Sequence, residues 1–214
     1  MFITVPRSEL RRRLPQLMVG LIVVGVGFAL MVESDLGLGP WEVLHQGISI
    51  RVGIPIGTVG IFVGLLVLGA WIPLRQRLGV GTVLNVITIG IVIDLTMLAI
   101  PDLSSLLIRG PALLGGLLMV GIGGGLYIGA GLGPGPRDGL MTGMAARGWF
   151  SIRTARTLLE VTALTAGWLL GGTVGIGTVL FAAGIGPLVQ IFLGKLTIGD
   201  SGYSSPVTGP RLPA

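Results

Sequence analysis

The feature that most constrains this chain is a repeat. Gly37-Leu-Gly-Pro-Trp-Glu-Val-Leu-His-Gln-Gly47 returns as Gly131-Leu-Gly-Pro-Gly-Pro-Arg-Asp-Gly-Leu-Met-Thr-Gly143. With a two-residue insertion placed at Gly135-Pro136, the copies align at an offset of 96, which sets Glu42 on Asp138, Leu44 on Leu140 and Thr58 on Thr154. The same offset brings Gly79-Val-Gly-Thr-Val-Leu84 onto Gly175-Ile-Gly-Thr-Val-Leu180. Ahead of the insertion the offset becomes 94, pairing Val26-Gly27 with Val120-Gly121. A register kept over this length means that one supersecondary unit is used twice.

What the unit is made of follows from its solvent. Of 214 residues, 51% are hydrophobic and 11% charged, with mean hydropathy +0.93. Soluble domains carry roughly 25% charged residues, so the expected solvent is a lipid bilayer. Six apolar runs approach the ~20 residues that cross a ~30 Å hydrocarbon core: Leu17–Val32, Ile56–Leu74, Gly81–Ile100, Pro111–Ala130, Thr154–Leu170 and Gly177–Leu193. The first run follows a basic stretch, as in a signal peptide. It has no small-residue cleavage site, and it is the partner of a later run, so it reads as the first membrane helix.

Two further segments, Pro40–Val52 and Pro136–Trp149, are opened by Gly-Pro, and proline suits the first helical turn. A dozen helical residues reach only about 18 Å, so re-entrant or interfacial helices are expected. The predicted architecture is therefore an all-α integral membrane protein of six spans. A cytoplasmic basic arm covers 1–16, a first repeat 17–100, a second repeat 111–194 and a disordered cytoplasmic tail 195–214. Three spans per unit is an odd number, so the second unit enters the membrane inverted relative to the first, an architecture that recurs in secondary transporters.

The formal charge of +5 is explained by topology rather than by nucleic acid. With both termini in the cytoplasm of a bacterial inner membrane, twelve of the fourteen basic residues lie inside and only Arg51 and Arg109 outside. The chain has no cysteine and one histidine, so a disulfide, a thiolate metal site or a histidine-rich metal centre is excluded. No cofactor is implied.

The patterns GLGPW-E-x-L-x-x-G, G-I-P-I-G-T-V, G-x-G-T-x-x-N and GLGPGPRDGLMTG resemble the YczE/YyaS/YitT family of bacterial multi-pass membrane proteins, the YczE branch most closely. The likeness runs from about Leu17 to Leu193. It implies a fold and a membrane location, without a substrate.

Chemistry is expected where polar groups meet apolar surroundings. Glu42 and Asp138 fall just inside the two short helices, where a carboxylate meets the positive helix end. They either cap those helices or, with Arg137 pairing Asp138 or an anion, form a polar centre at the repeat interface. Gly37, Gly39, Pro40, Gly131, Gly133, Pro134 and Pro136 shape the approach of backbone to any ligand there. Asp94 lies inside a span with Gln190 as its partner, and ionisable groups in spans are functional candidates. His45 shares a helical face with Glu42, as a proton-relay partner or as a structural residue. Glu160 is read as a local partner of Arg156, and Asn85, Thr82 and Thr178 as bonds between helices. Gly121, Gly125, Gly129 and Gly133 recur every four residues as a close-packing stripe. The four tryptophans suggest an interfacial belt.

No zincin motif, nucleophile–base arrangement or cofactor signature is present, and an enzyme is not expected. The reading is a small permease of unidentified solute, and a homodimer would be natural at this size. The alternative is a membrane-embedded accessory or regulatory protein without transport activity.

Overall fold

A computed structural model describes residues 7–198 as eight helices. They are α1 (Arg7–Ser34), α2 (Pro40–Val52), α3 (Ile56–Leu74), α4 (Val80–Ala99), α5 (Leu106–Gly129), α6 (Pro136–Ala146), α7 (Ile152–Leu169) and α8 (Ile176–Leu196). The stretch expected as a separate basic arm is, from Arg7 onward, the first turns of α1. The expected tail is helical through Leu196, and its remainder from 199 lies outside the described residues, as does the disorder expected there.

Five helices are long and apolar enough to cross a membrane: most of α1, and α3, α4, α5 and α8. Their outward faces carry exposed Leu66, Ile72, Leu98, Leu107 and Val179, apolar surface that needs lipid rather than water. The segment expected as the sixth span is α7, which is not among these five because Arg153, Arg156 and Glu160 occupy its first half. At 18 residues it is still about 27 Å long. It starts near the face where α3 ends and finishes beside Arg51 and the start of α8.

The centre of the bundle is the crossing of α1 and α5. The backbone of Gly20 lies against the Gly123 carbonyl and that of Gly27 against the Gly116 carbonyl, so the two helices are antiparallel and touch without side chains between them. Leu17, Leu21 and Met31 of α1 are fully buried as a result. α4 packs beside α1, with Gly25 against Val92, and α8 packs beside α5, with Gly125 against Phe192. The glycine stripe expected on α5 is therefore a contact with α8 through Gly121, Gly125 and Gly129. Gly133 is not part of it, since it lies past the helix end at φ +132° and meets Gly79 and Thr82.

Gly20 and Gly116 are 96 residues apart, as are Gly27 and Gly123. The α1–α5 contacts fit an offset of 96, and the loop geometry requires no insertion at Gly135-Pro136. The backbone agrees: Gly39 and Gly135 cap their helices with the same torsions, φ −63° and ψ 156°. Gly37 and Gly133 are both left-handed, at φ +113° and +132°. The letters mislead because Gly37-Leu-Gly-Pro matches Gly131-Leu-Gly-Pro by identity, while its conformational counterpart is Gly133-Pro-Gly-Pro.

Both short helices turn back along the bundle. After α1, the Leu36 carbonyl accepts from the Gly177 N–H (2.8 Å), Gly37 lies on Gly175 and Gly39 reaches Phe181. The loop has then descended along α8 by about six residues, roughly 9 Å. α2 turns back from there: the Thr173 N–H donates to Gln46 at 2.6 Å, and Arg51 Nε donates to the Leu170 carbonyl at 3.1 Å. The second half does the same from the other face. The Gly81 N–H donates to the Leu132 carbonyl (2.9 Å), Thr82 Oγ1 donates to the Pro134 carbonyl (2.8 Å), and α6 returns past Leu74 until Arg147 bonds the Pro73 carbonyl. Each short helix is thus seated by the opposite half.

The side chains that seat them are exchanged. Trp71 of α3 fills the space over Gly139 of α6, is 1% exposed and donates from Nε1 to the Pro136 carbonyl at 2.9 Å. At the matching place Gly167 of α7 lies against Val43 and Leu44 of α2. Trp71 is therefore a core residue rather than a member of an interfacial belt, unlike Trp149 and Trp168, which are exposed.

Candidate functional site

The N-termini of α2 and α6 converge, and the cavity at their meeting point has a volume of about 270 Å³. Its polar lining comes from Trp41, Glu42 and His45 of α2, Asn85 of α4, Tyr127 of α5, and Arg137 and Asp138 of α6. The rest is apolar, with Phe28 and Phe181 in contact at 6.1 Å between ring centres.

Of the residues expected to act, Glu42, His45, Arg137 and Asp138 are brought together here. Their pairing differs from expectation. Arg137 reaches across to the other short helix, where its Nη2 donates to Glu42 Oε1 at 2.6 Å, and its guanidinium stacks over the Trp41 ring at 4.9 Å. Positions 41 and 137 are 96 apart, so the stacked pair joins counterparts of the two halves. Glu42 is 3% exposed, and its second oxygen, Oε2, is buried with no hydrogen-bond partner. Only the glutamate of the pair is buried, since the Arg137 side chain is 36% exposed.

The Gly-Pro openings explain this geometry. The cap residues of both short helices, Gly39 and Gly135, have no side chain to bond the first turn. A Cβ on Gly135 would meet Asp138 and the Tyr127 hydroxyl, and one on Gly39 would meet Glu42 Oε2 and Phe181. Glycine is required where these carboxylates fold back on the helix entry. Pro40 and Pro136 are the first residues of α2 and α6, Pro134 supplies the carbonyl held by Thr82, and Gly131 forms the turn after α5 at φ +64°.

Asp94 and Gln190 are not part of the site. Asp94 Oδ1 accepts from the Gly57 N–H (2.6 Å), and Oδ2 accepts from the Thr58 N–H (2.8 Å) and Thr58 Oγ1 (2.7 Å). It closes the N-terminus of α3, whose cap residue, Pro55, makes no side-chain bond. Gln190 is exposed on the outer face of α8. Glu160 pairs with Arg156 at 2.9 Å, as expected from their i, i+4 spacing. Trp41, Asn85, Tyr127, Phe28 and Phe181 are site residues that motif reading missed. The available signal was the offset itself, since Asn85 and Phe181 are counterparts, as are Trp41 and Arg137.

Comparison with known proteins adds the family. Residues 11–194 match DUF6198, a family of unknown function. An uncharacterized protein of Haemophilus influenzae is 44% identical over 177 residues, covering 83% of this chain and 81% of its own. The uncharacterized membrane protein YczE of Bacillus subtilis is 32% identical over 189 residues, covering 87% and 88%. YyaS of the same organism is 29% identical over 179 residues, covering 82% and 89%. No solved structure matches.

Proposed function

This chain belongs to the DUF6198 family, and on that premise we propose that it is a small secondary transporter built from two inverted three-span repeats. The observation that carries the reading is the meeting of two re-entrant helices, entering from opposite faces, at one cavity. Discontinuous helices whose N-termini face a midplane site are how many transporters hold a solute, and rocking of one repeat against the other gives alternating access. The antiparallel contact of α1 with α5 and the matched torsions of the two loops support the inverted relation. A homodimer is part of the reading, since six spans make a small transporter.

The orientation follows from charge. Gln16 Nε2 donates to the Leu196 carbonyl, so both ends of the described chain share one face. Arg13, Arg75, Arg77, Arg147 and Lys195 lie toward that face, which we assign to the cytoplasm of a bacterial inner membrane. Single cysteines introduced at Arg51 and Arg109 are expected to react with an impermeant thiol reagent from outside, and those at Arg75 and Arg156 to stay unlabelled. External labelling at Arg75 overturns the orientation.

The function is tested by solute uptake into proteoliposomes, with Asp138→Asn as the paired control. Asparagine preserves helix-entry chemistry at a stability change of at most about 1 kcal/mol, so uptake lost from a folded variant assigns Asp138 to the pathway. Absence of uptake across a broad solute set supports the accessory-protein reading instead.

A further inference from the structure

The electrostatics of the cavity select a class of ligand, given the reading of the cavity as a solute site. Converging helix N-termini ordinarily attract anions. Here the place an anion would take is filled, because the first turns of α2 and α6 carry Glu42 and Asp138. Two carboxylates face one guanidinium, Arg137, while Arg156 and Glu160 of neighbouring α7 pair with each other outside the cavity. An incoming anion would therefore be set beside like charge in a medium of low dielectric.

An incoming cation meets the reverse situation. Glu42 lines the cavity, and its Oε2 is a buried acceptor with nothing bonded to it, a group that is costly to leave unmatched. The protein's own Arg137 already shows the recognition mode, a planar cation lying on an aromatic ring while bonded to the adjacent carboxylate. Phe28 and Phe181 present further aromatic surface on the same cavity. The volume of about 270 Å³ lies at the lower edge of the ~300–1,000 Å³ typical of ligand pockets, so the occupant is small.

We propose that the cavity binds a small organic cation, an ammonium group carried on an apolar body, with the ammonium on Glu42 Oε2 and the body against Phe28 and Phe181. Arg137 holds Glu42 Oε1 and thereby orients the carboxylate, leaving Oε2 to the ligand.

The test is calorimetric titration of the purified full-length protein in detergent with three probes of similar shape: 2-phenylethylammonium, 2-phenylethanol and 3-phenylpropionate. The ammonium is expected to bind saturably, about tenfold or more tighter than the alcohol or the carboxylate, as a charge-assisted bond requires. Glu42→Gln, which keeps shape and removes charge, is expected to abolish that preference. Should this variant fold poorly, the ranking of the three probes on the natural chain decides by itself. Equal or tighter binding of the carboxylate, binding of none of the three, or an ammonium preference that survives in Glu42→Gln overturns the proposal. Uptake measured alongside separates it from the transport reading. Ammonium binding without uptake keeps the cation site and removes transport, whereas uptake of some other solute with no ammonium preference keeps transport and removes the cation site.

Discussion

The α3–α4 and α7–α8 pairs stand at corresponding places in the two halves, yet one is a tight contact and the other hardly a contact at all. Three positions account for the difference. In the first half Pro55 cannot cap α3, Gly57 lets the backbone settle against the Gly90 carbonyl, and Asp94 collects the N–H groups of Gly57 and Thr58. At the matching positions the second half has Ser151, Arg153 and Gln190, while Gly186 keeps the glycine of Gly90. Ser151 caps α7 locally, accepting from the Thr154 N–H at 3.1 Å, so α7 does not need α8 to satisfy its first turn. Arg153 could not enter the space that Gly57 occupies. Equal element order therefore does not imply equal packing, and a helix that closes its own end is released from its neighbour.

The sharpest way to break this contrast is to fill the tight contact. Gly57→Leu is expected to force α3 from α4 and destabilise by roughly 1–3 kcal/mol or more, read as a lowered melting temperature in detergent. Gly186→Leu, at a position with open space around it, should leave the same profile unchanged. Equal losses in the two variants would mean that α7 and α8 are in contact after all. A smaller effect is expected from Asp94→Ala, which leaves the first turn of α3 without its acceptors and costs about 1–3 kcal/mol. The smallest belongs to Gln190→Ala, an exposed change expected to stay within about 0.5 kcal/mol. A Gln190 variant that melts lower than the Asp94 variant would reverse the assignment of which half is clamped.

Much of the architecture was legible from residues. The bounds of α2 and α3 follow from Gly-Pro openings and run lengths. Glu42, Asp138, Arg137 and His45 were found through the repeat and do share a cavity. What failed did so for definable reasons. The partner of Arg137 depends on how two helices from opposite faces meet, which no local spacing encodes. Asp94 is ionisable within a span, and that alone does not distinguish a solute site from a helix N-terminus waiting across the interface. Trp71 looked interfacial by its place near a span end, while its burial is decided by Gly139, 68 positions further along the chain.

The seating of each short helix by the opposite half has a consequence for biogenesis. When the ribosome has completed α4, the Gly81 N–H still lacks the Leu132 carbonyl and Trp71 has no Gly139 to cover. The first half must therefore wait in the membrane, inserted but unfinished, until α5 and α6 are synthesised. The Leu36 carbonyl receives its donor only when the start of α8 arrives. Maturation is thus coupled to translation of nearly the whole message. A product truncated after α4 would carry every span of the first half and still present open polar backbone to quality-control proteases.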